Sequence, residues 1–392
     1  MKTLKRTWAD ISLDNLEYNY RSIRAHLPQG TKFLGVMKAD AYGHGAVPVS
    51  RALADLGAEY LAVSNLEEAV QIRRGEVRLP ILILGYTPAE YAANMIFLDI
   101  TQEVHSLEYA RELNEALAGT NYILNVHLKL DTGMTRIGFF AYDNERTLDE
   151  LKQVAELTHL HIEGVFMHFC VADSRAEADV SFTKLQYKRF MDMLSAMAGV
   201  GIRPEIRHCC NSGATILYPE FALDMVRPGI ITYGNAPSDE LAGALSLRPM
   251  MSLHSMIAQV RTVPAGTDIS YGRLYRTKEE TRVAVLPIGY ADGLSRLLTG
   301  KASFYLQGHQ VPVIGRICMD MCMIDVSNVP EAKPGDVVTI FGYDDDGTLL
   351  PCERLARAQG TINYELLCQI SKRIPRICHR GAETSQILQY IV

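Results

Sequence analysis

The chain has 392 residues, a formal net charge of −6, 48% hydrophobic and 21% charged residues. That length can hold two domains, the composition excludes a disordered chain, and the mild acidity gives no electrostatic basis for binding nucleic acid. Met1–Trp8 is basic, but Asp10 and Asp14 follow before any apolar stretch, so the segment does not read as a signal peptide. Apolar runs such as Ile81–Leu84 are too short to cross a bilayer. The eight cysteines have no scaffold spacing, and neither Cys318-x3-Cys322 nor Cys209-Cys210 has a second ligand pair, so no metal centre is expected. Soluble, cytoplasmic protein with reduced thiols is the resulting expectation.

Eight short apolar runs ending in polar residues or glycine occupy the first part of the chain: Phe33–Met37, Tyr60–Ser64, Ile81–Gly85, Leu98–Val104, Asn125–Asp131, His161–Phe169, Ile206–Asn211 and Asp224–Ile230. Helical periodicity falls between them, as in Val47–Leu56, Asn65–Arg73, Leu107–Leu117 and Phe182–Met197. Parallel strands need crossover helices, and eight strand–helix units close on themselves as a (β/α)8 TIM barrel; an open doubly wound sheet is the competing arrangement. After a linker-like Asn235–Ser238 the pattern becomes strand and turn: Leu253–Val263, Arg282–Pro287, Ala302–Leu306, Val311–Ile314 and Val337–Phe341. One helix, Glu353–Gln359, interrupts it, and Asp344–Asp346 reads as a solvated hairpin loop. The predicted organisation is an α/β barrel over 1–238 and a mostly antiparallel β domain over 239–392, with the first ten or so residues able to pack on the β domain.

Barrel active sites lie at the C-terminal ends of the strands. Lys38 follows the first run, Lys129 and Asp131 end the fifth with Arg136 just beyond, His168 ends the sixth, Ser212 follows the seventh, and Arg227 lies late in the eighth. Asn211-Ser-Gly213 and Arg227-Pro-Gly-Ile230 offer the backbone N–H groups and hydroxyl of a phosphate cradle, opposite a lysine that desolvation would activate. A barrel using pyridoxal 5'-phosphate (PLP) and a phosphosugar aldolase both fit that arrangement.

Longer motifs separate the two. Met37-Lys-Ala-Asp-Ala-Tyr-Gly-His-Gly45 resembles the PLP-attachment signature of alanine racemases. The resemblance continues through Lys129–Gly138, Asn211-Ser212, Val226–Ile230, Ile269–Gly272, Pro287–Gly293, Gly315–Asp320 and Gly360–Glu365, in family order and in both predicted domains. It implies racemisation of L- and D-alanine, supplying D-alanine for peptidoglycan, by two bases: Lys38, which carries PLP, and Tyr271. An ordinary phenol is a poor base at neutral pH, and His168 with Arg227 is read as the positive relay that assists it. Arg227 would also face the pyridine nitrogen and keep it unprotonated. The resemblance further implies phosphate binding by Tyr42, Ser212, Gly229, Ile230 and Tyr364. Substrate carboxylate would be held by Arg136 and the Met319 N–H, and Lys129 would carry a carbamate that positions Arg136. Tyr271, Met319 and the gate residue Tyr290, with Cys318 and Asp320 beside Met319, would reach the barrel mouth of a partner, so a homodimer with shared sites is expected. A serine or broad-spectrum racemase is the nearest alternative, with Tyr364 narrowing the pocket; a non-catalytic PLP carrier lacks the β domain and its tyrosine.

Overall fold

The computed structural model describes residues 6–142 and 144–391. Its contacts separate two units: Leu16–Ala41 with Ala46–Arg248, and the residues through Asn15 with Tyr42–Gly45 and Pro249 onward.

In the first unit, eight parallel strands form a closed barrel: Lys32–Val36, Tyr60–Val63, Ile81–Ile83, Ile100–Val104, Leu124–Asp131, Leu160–Phe166, Ile206–His208 and Met225–Val226. Each pairs with the next, and the eighth closes on the first through Met225↔Lys32 and Val226↔Phe33. All eight predicted runs are present; six stop short of their predicted C-terminal ends, where pairing gives way to loops, while the fourth and fifth end at Val104 and Asp131 as expected. Tyr60–Val63, Ile81–Ile83 and Ile100–Val104 are buried throughout, because a parallel sheet wrapped by helices hides both faces of its strands. The surrounding helices have local start signals: Asn65 and Ser106 accept from the N–H groups of Glu68 and Tyr109, saturating donors that the first helical turn leaves unpaired. Leu13–His26, which precedes the first run, had no counterpart in the periodicity reading.

The second unit is built on antiparallel pairing with one exception. Thr7–Ser12 lies between Met251–Met256, antiparallel to it, and Arg376–Arg380, parallel to it. The predicted single strand Leu253–Val263 is two strands, Met251–Met256 and Gln259–Val263. The chain changes partners between them, because Ile257 donates to Asp336 and Ala258 to Val285 while the flanking strands pair with Val337–Tyr343 and Thr281–Leu286. The predicted helix Glu353–Gln359 is followed by a second, Asn363–Cys368, after Gly360 turns the chain at φ +83°. Asp344 closes a hairpin loop by accepting from the N–H groups of Asp346 and Thr348. Among the described residues, no helix is long and apolar enough to cross a membrane.

Candidate active site

Lys38 stands where the first barrel strand ends, and the backbone beyond it winds the wrong way. Ala39, Asp40, Ala41 and Tyr42 all have φ between +51° and +55°. Each non-glycine residue in that left-handed region costs about 1–2 kcal/mol, so surrounding bonds must hold the turn. Within it Ala41 donates to the Met37 carbonyl at 2.8 Å, and the Asp40 carboxylate accepts from the Ala46 N–H at 2.8 Å.

Strand alternation points His127, Lys129 and Asp131 to one side of the fifth strand. Lys129 is buried, with Nζ 4.6 Å from the centre of the Phe166 ring. Burial, reinforced by the charges of Arg227 and Arg136, pulls its amine well below the ordinary lysine range, outweighing the opposite pull of Glu103 and Asp131. His168 lies two residues past the sixth strand. Burial and four cations, in the order Arg227, Lys129, Arg136 and Lys38, keep its imidazole neutral by pushing its pKa well below the usual value. The structure thus brings together five residues picked from the sequence at one end of the barrel.

Arg227 is fixed on several sides. Its guanidinium donates to the Met167 carbonyl at 2.6 Å, the Cys209 carbonyl at 3.2 Å and His208 Nδ1 at 2.9 Å, with His168 Nδ1 at 3.4 Å. Burial lowers its pKa to about 10, which leaves it a cation at neutral pH. Behind it a buried chain runs from His208 Nε2 to His127 Nδ1 at 2.8 Å and from His127 Nε2 to Glu163 Oε2 at 3.1 Å. Tyr60 donates to the other Glu163 oxygen at 2.6 Å, and Thr101 donates to Oε2 at 3.2 Å. Burial alone would raise Glu163, but hydrogen bonds from His127 and Tyr60 overcome it and hold the carboxyl at about 2.

Ser212 opens the helix Ser212–Leu217, capped by Asn211, which accepts from the Ala214 N–H at 3.0 Å. The Ser212 hydroxyl accepts from the Gly229 N–H at 2.9 Å, tying the loop after the seventh strand to the loop after the eighth. Gly213 has no room for a side chain: a Cβ there would lie 2.9 Å from both Cβ and N of Asp173. Ile230 is fully buried, and Tyr233 donates to the Val36 carbonyl at 2.6 Å, anchoring the eighth loop two residues before Lys38. A buried guanidinium beside a backbone cradle calls for an anion. A lysine at a strand end, a serine–glycine cradle and a buried arginine together suit a phosphate-bearing aldehyde cofactor.

The remaining selected residues fall in the second unit. Tyr42 is buried with its ring centre 6.0 Å from that of Tyr364. The neighbouring Gly43 carbonyl accepts from the fully buried Arg376 at 2.9 Å, so this turn is packed against the Leu367–Arg376 segment. Tyr271, Tyr290, Met319, Cys318 and Asp320 sit on linked loops. Ser270 donates to the Arg316 carbonyl at 2.7 Å and meets Cys318 Sγ at 3.5 Å, while Tyr290 and Ala291 donate to the Cys318 and Met319 carbonyls, both at 3.0 Å. Gly289 permits this crossing, since a Cβ there would be 2.3 Å from each of those carbonyl oxygens. Asp292 accepts from the Gly289 N–H, and Arg373 bridges Asp292 and Asp320. Tyr271, Tyr290 and Met319 nonetheless remain 69%, 43% and 53% exposed.

His127, His208, Glu163 and Glu103 were not among the residues selected from sequence. Glu103 is fully buried on the fourth strand, beside His127 in register, and its Oε1 pairs with His105 Nδ1 at 2.9 Å. The available signal was a polar residue at alternate positions inside an apolar strand, the pattern His127, Lys129, Asp131.

Comparison with known proteins gives one answer across the chain. A family model described as alanine racemase, N-terminal domain, matches residues 11–237, and one described as alanine racemase, C-terminal domain, matches 250–378. The chain is 46% identical to an alanine racemase of Desulfovibrio desulfuricans over 370 residues, covering 94% of this chain and 97% of the relative. It is 42% identical to one from Clostridium tetani over the full length of both. Among solved structures it is similar to alanine racemase of Clostridium difficile 630, with TM-score 0.93, 40% identity and complete coverage of both chains. It also resembles alanine racemase from Bacillus anthracis with bound L-Ala-P, with TM-score 0.91, 34% identity and coverage of 100% and 99%.

Proposed function

The chain belongs to the alanine racemase family, whose activity is the PLP-dependent interconversion of L- and D-alanine, and we propose that it performs this reaction with Lys38 and Tyr271 as its two bases. When bound, PLP withdraws electrons from the substrate Cα and makes its proton removable. The Lys38 amine takes that proton from D-alanine and the Tyr271 phenol takes it from L-alanine, and after either has removed a proton the other delivers one from its own, opposite face. Arg136 and the Met319 N–H hold the substrate carboxylate. Ser212, Gly229, Ile230, Tyr42 and Tyr364 would hold the cofactor phosphate, and Arg227, rigid and charged, would lie at the pyridine nitrogen and keep it unprotonated. Arg227 carries the positive charge toward the phenol; His168, expected from the sequence to share it, is kept neutral by burial and the surrounding cations and can act only as a hydrogen-bonding partner.

The observation that supports this reading most is the gathering of Lys38, Lys129, Arg136 and Arg227 around the neutral His168. Arg227 is buried while Lys38 and Arg136 are exposed, so a phosphate and an amino-acid carboxylate would offset positive charge gathered at one mouth of the barrel. A carbamate on Lys129 would supply a third anion beside Arg136; burial disfavours the ammonium form of this amine and so favours the lone pair that carbon dioxide requires. The exposed Tyr271, Tyr290 and Met319 favour a homodimer in which these loops complete the partner's site. D-alanine formed in the cytoplasm would feed peptidoglycan. The relatives give no support to the serine or broad-spectrum alternative.

Protein incubated with PLP should interconvert L- and D-alanine, and borohydride should fix the cofactor at position 38. Colourless protein with no label at that position, or a Lys38→Ala variant with an undiminished rate, would overturn the reading.

A further inference from the structure

The helix that follows the second barrel strand braces the backbone at Lys38. Leu66–Arg74 presents Glu68 and Gln71, one helical turn apart, toward the left-handed segment. Glu68 Oε1 accepts from the Ala39 N–H at 2.7 Å, and its Oε2 accepts from the Ser64 N–H at 2.7 Å. Gln71 Nε2 donates to Asp40 Oδ1 at 3.4 Å, the same oxygen that accepts from Ala46. One carboxylate therefore ties the residue after Lys38 to the end of the neighbouring strand, at the point where the two strands stop pairing. Met37 still donates to the Ala62 carbonyl at 2.7 Å; beyond it, the Glu68 carboxylate replaces the ladder.

Glu68 is itself positioned by its helix start. Its N–H donates to Asn65 Oδ1 at 3.0 Å, so the cap that begins the helix also orients the carboxylate. Charge-assisted bonds of this length are stronger than neutral ones, and they act where four consecutive positive φ angles would otherwise relax. Relaxation at Ala39 would move the Lys38 Cα and swing its amine.

We propose that Glu68 is a positioning residue for racemisation, holding the strained turn at Ala39 so that the Lys38 amine keeps a fixed approach to one face of the substrate. The inference rests on the reading of Lys38 as cofactor carrier and base. It assigns Glu68 a role directional in effect, because it acts on the base for D-alanine and not on Tyr271.

The test compares Glu68→Ala and Glu68→Gln with the unaltered chain, all loaded with PLP. Borohydride labelling at position 38 and circular dichroism are recorded first; rates are then measured in both directions with Cα-protonated and Cα-deuterated alanine. Glu68→Ala should lower kcat by about 10- to 100-fold, the scale expected for an ångström-sized misplacement of a reacting group. The deuterium isotope effect should rise when D-alanine is the substrate, with less change from L-alanine, because the Lys38 transfer becomes slower relative to other steps. Glu68→Gln keeps the shape and one acceptor oxygen but turns an NH2 toward the other N–H, so its rate should fall between those of Glu68→Ala and the unaltered chain, and it carries the test if Glu68→Ala proves unfolded. Unchanged isotope effects in a folded, labelled variant would overturn the proposal, as would a rise that is equal in both directions. Absence of label in the unaltered chain would instead overturn the reading of Lys38 on which the proposal stands.

Discussion

Arg227 donates to His208 Nδ1 at 2.9 Å, and that contact sets the tautomer of a buried imidazole. A guanidinium can only donate, so Nδ1 must accept and the proton of His208 must be on Nε2. Nε2 then donates to His127 Nδ1, which leaves His127 to donate from Nε2 to Glu163. The chain has one direction, from a donor-only cation to a carboxylate held ionised at neutral pH.

The direction predicts which substitutions at position 208 are tolerated. A glutamine offers a carbonyl oxygen to Arg227 and an amide N–H to His127, reproducing both roles. Alanine leaves a buried guanidinium N–H and a buried imidazole nitrogen without partners. His208→Ala should lose about 1–3 kcal/mol for each abandoned group in denaturant unfolding, and His208→Gln much less. Equal losses in the two variants would contradict the assigned direction.

Buried neutral histidines also predict how stability depends on pH. His127, His168 and His208 have pKa values pushed below their ordinary value of about 6.5, in each case chiefly by burial. Below pH 6.5 the unfolded chain takes up protons that the folded chain refuses, so stability must fall as pH falls through that range. Each histidine contributes up to about 1.4 kcal/mol per pH unit. Glu163 acts much lower: its stabilisation is complete above the unfolded carboxylate value and fades toward pH 2. Unfolding free energy measured between pH 8 and pH 5 should decline below 6.5, and the decline should be shallower in His208→Gln.

Sharing of sites between protomers can be tested by mixing two inactive proteins. If Lys38 and Tyr271 act from different subunits, a heterodimer of Lys38→Ala and Tyr271→Ala protomers contains one intact site and one doubly damaged site. Unfolding and refolding an equal mixture should restore about a quarter of the unaltered activity, from half the dimers with half their sites. Recovery at background level would place both bases on one chain.

The desolvated Lys129 amine predicts a carbon-13 signal. Protein equilibrated with 13C-bicarbonate should give a carbamate resonance that is absent from Lys129→Met, and removal of bicarbonate should raise the KM for alanine more than it lowers kcat. The KM effect follows because the modification acts through Arg136, the carboxylate holder. Identical spectra for the two proteins would exclude the carbamate.

Local signals carried much of this molecule. The eight strand–helix units were legible because a parallel strand buried on both faces must be apolar along its length, and crossover helices must repeat at 3.6 residues. Lys38, Arg136, His168, Ser212 and Arg227 were legible because each lies late in such a run or just beyond it, where loops meet over the barrel. The motif around Tyr271 and Met319 was legible as sequence, although the exposure of those side chains was not.

Barrel closure decided the rest. Tyr60, Thr101, His127, Glu163, His208 and Arg227 come from six different strands or the loops that end them, and nothing in any one segment shows that they form a single hydrogen-bonded chain. The partner change at Ile257 and Ala258 was equally invisible, since both halves of that segment have strand character and only their neighbours differ. Periodicity is a property of adjacent residues, so it was enough for most of the elements and for the strand ends where chemistry would lie. Which buried donor meets which acceptor, and how a left-handed turn at Ala39 is held by a carboxylate on another helix, depends on contacts that exist only after the sheet has closed.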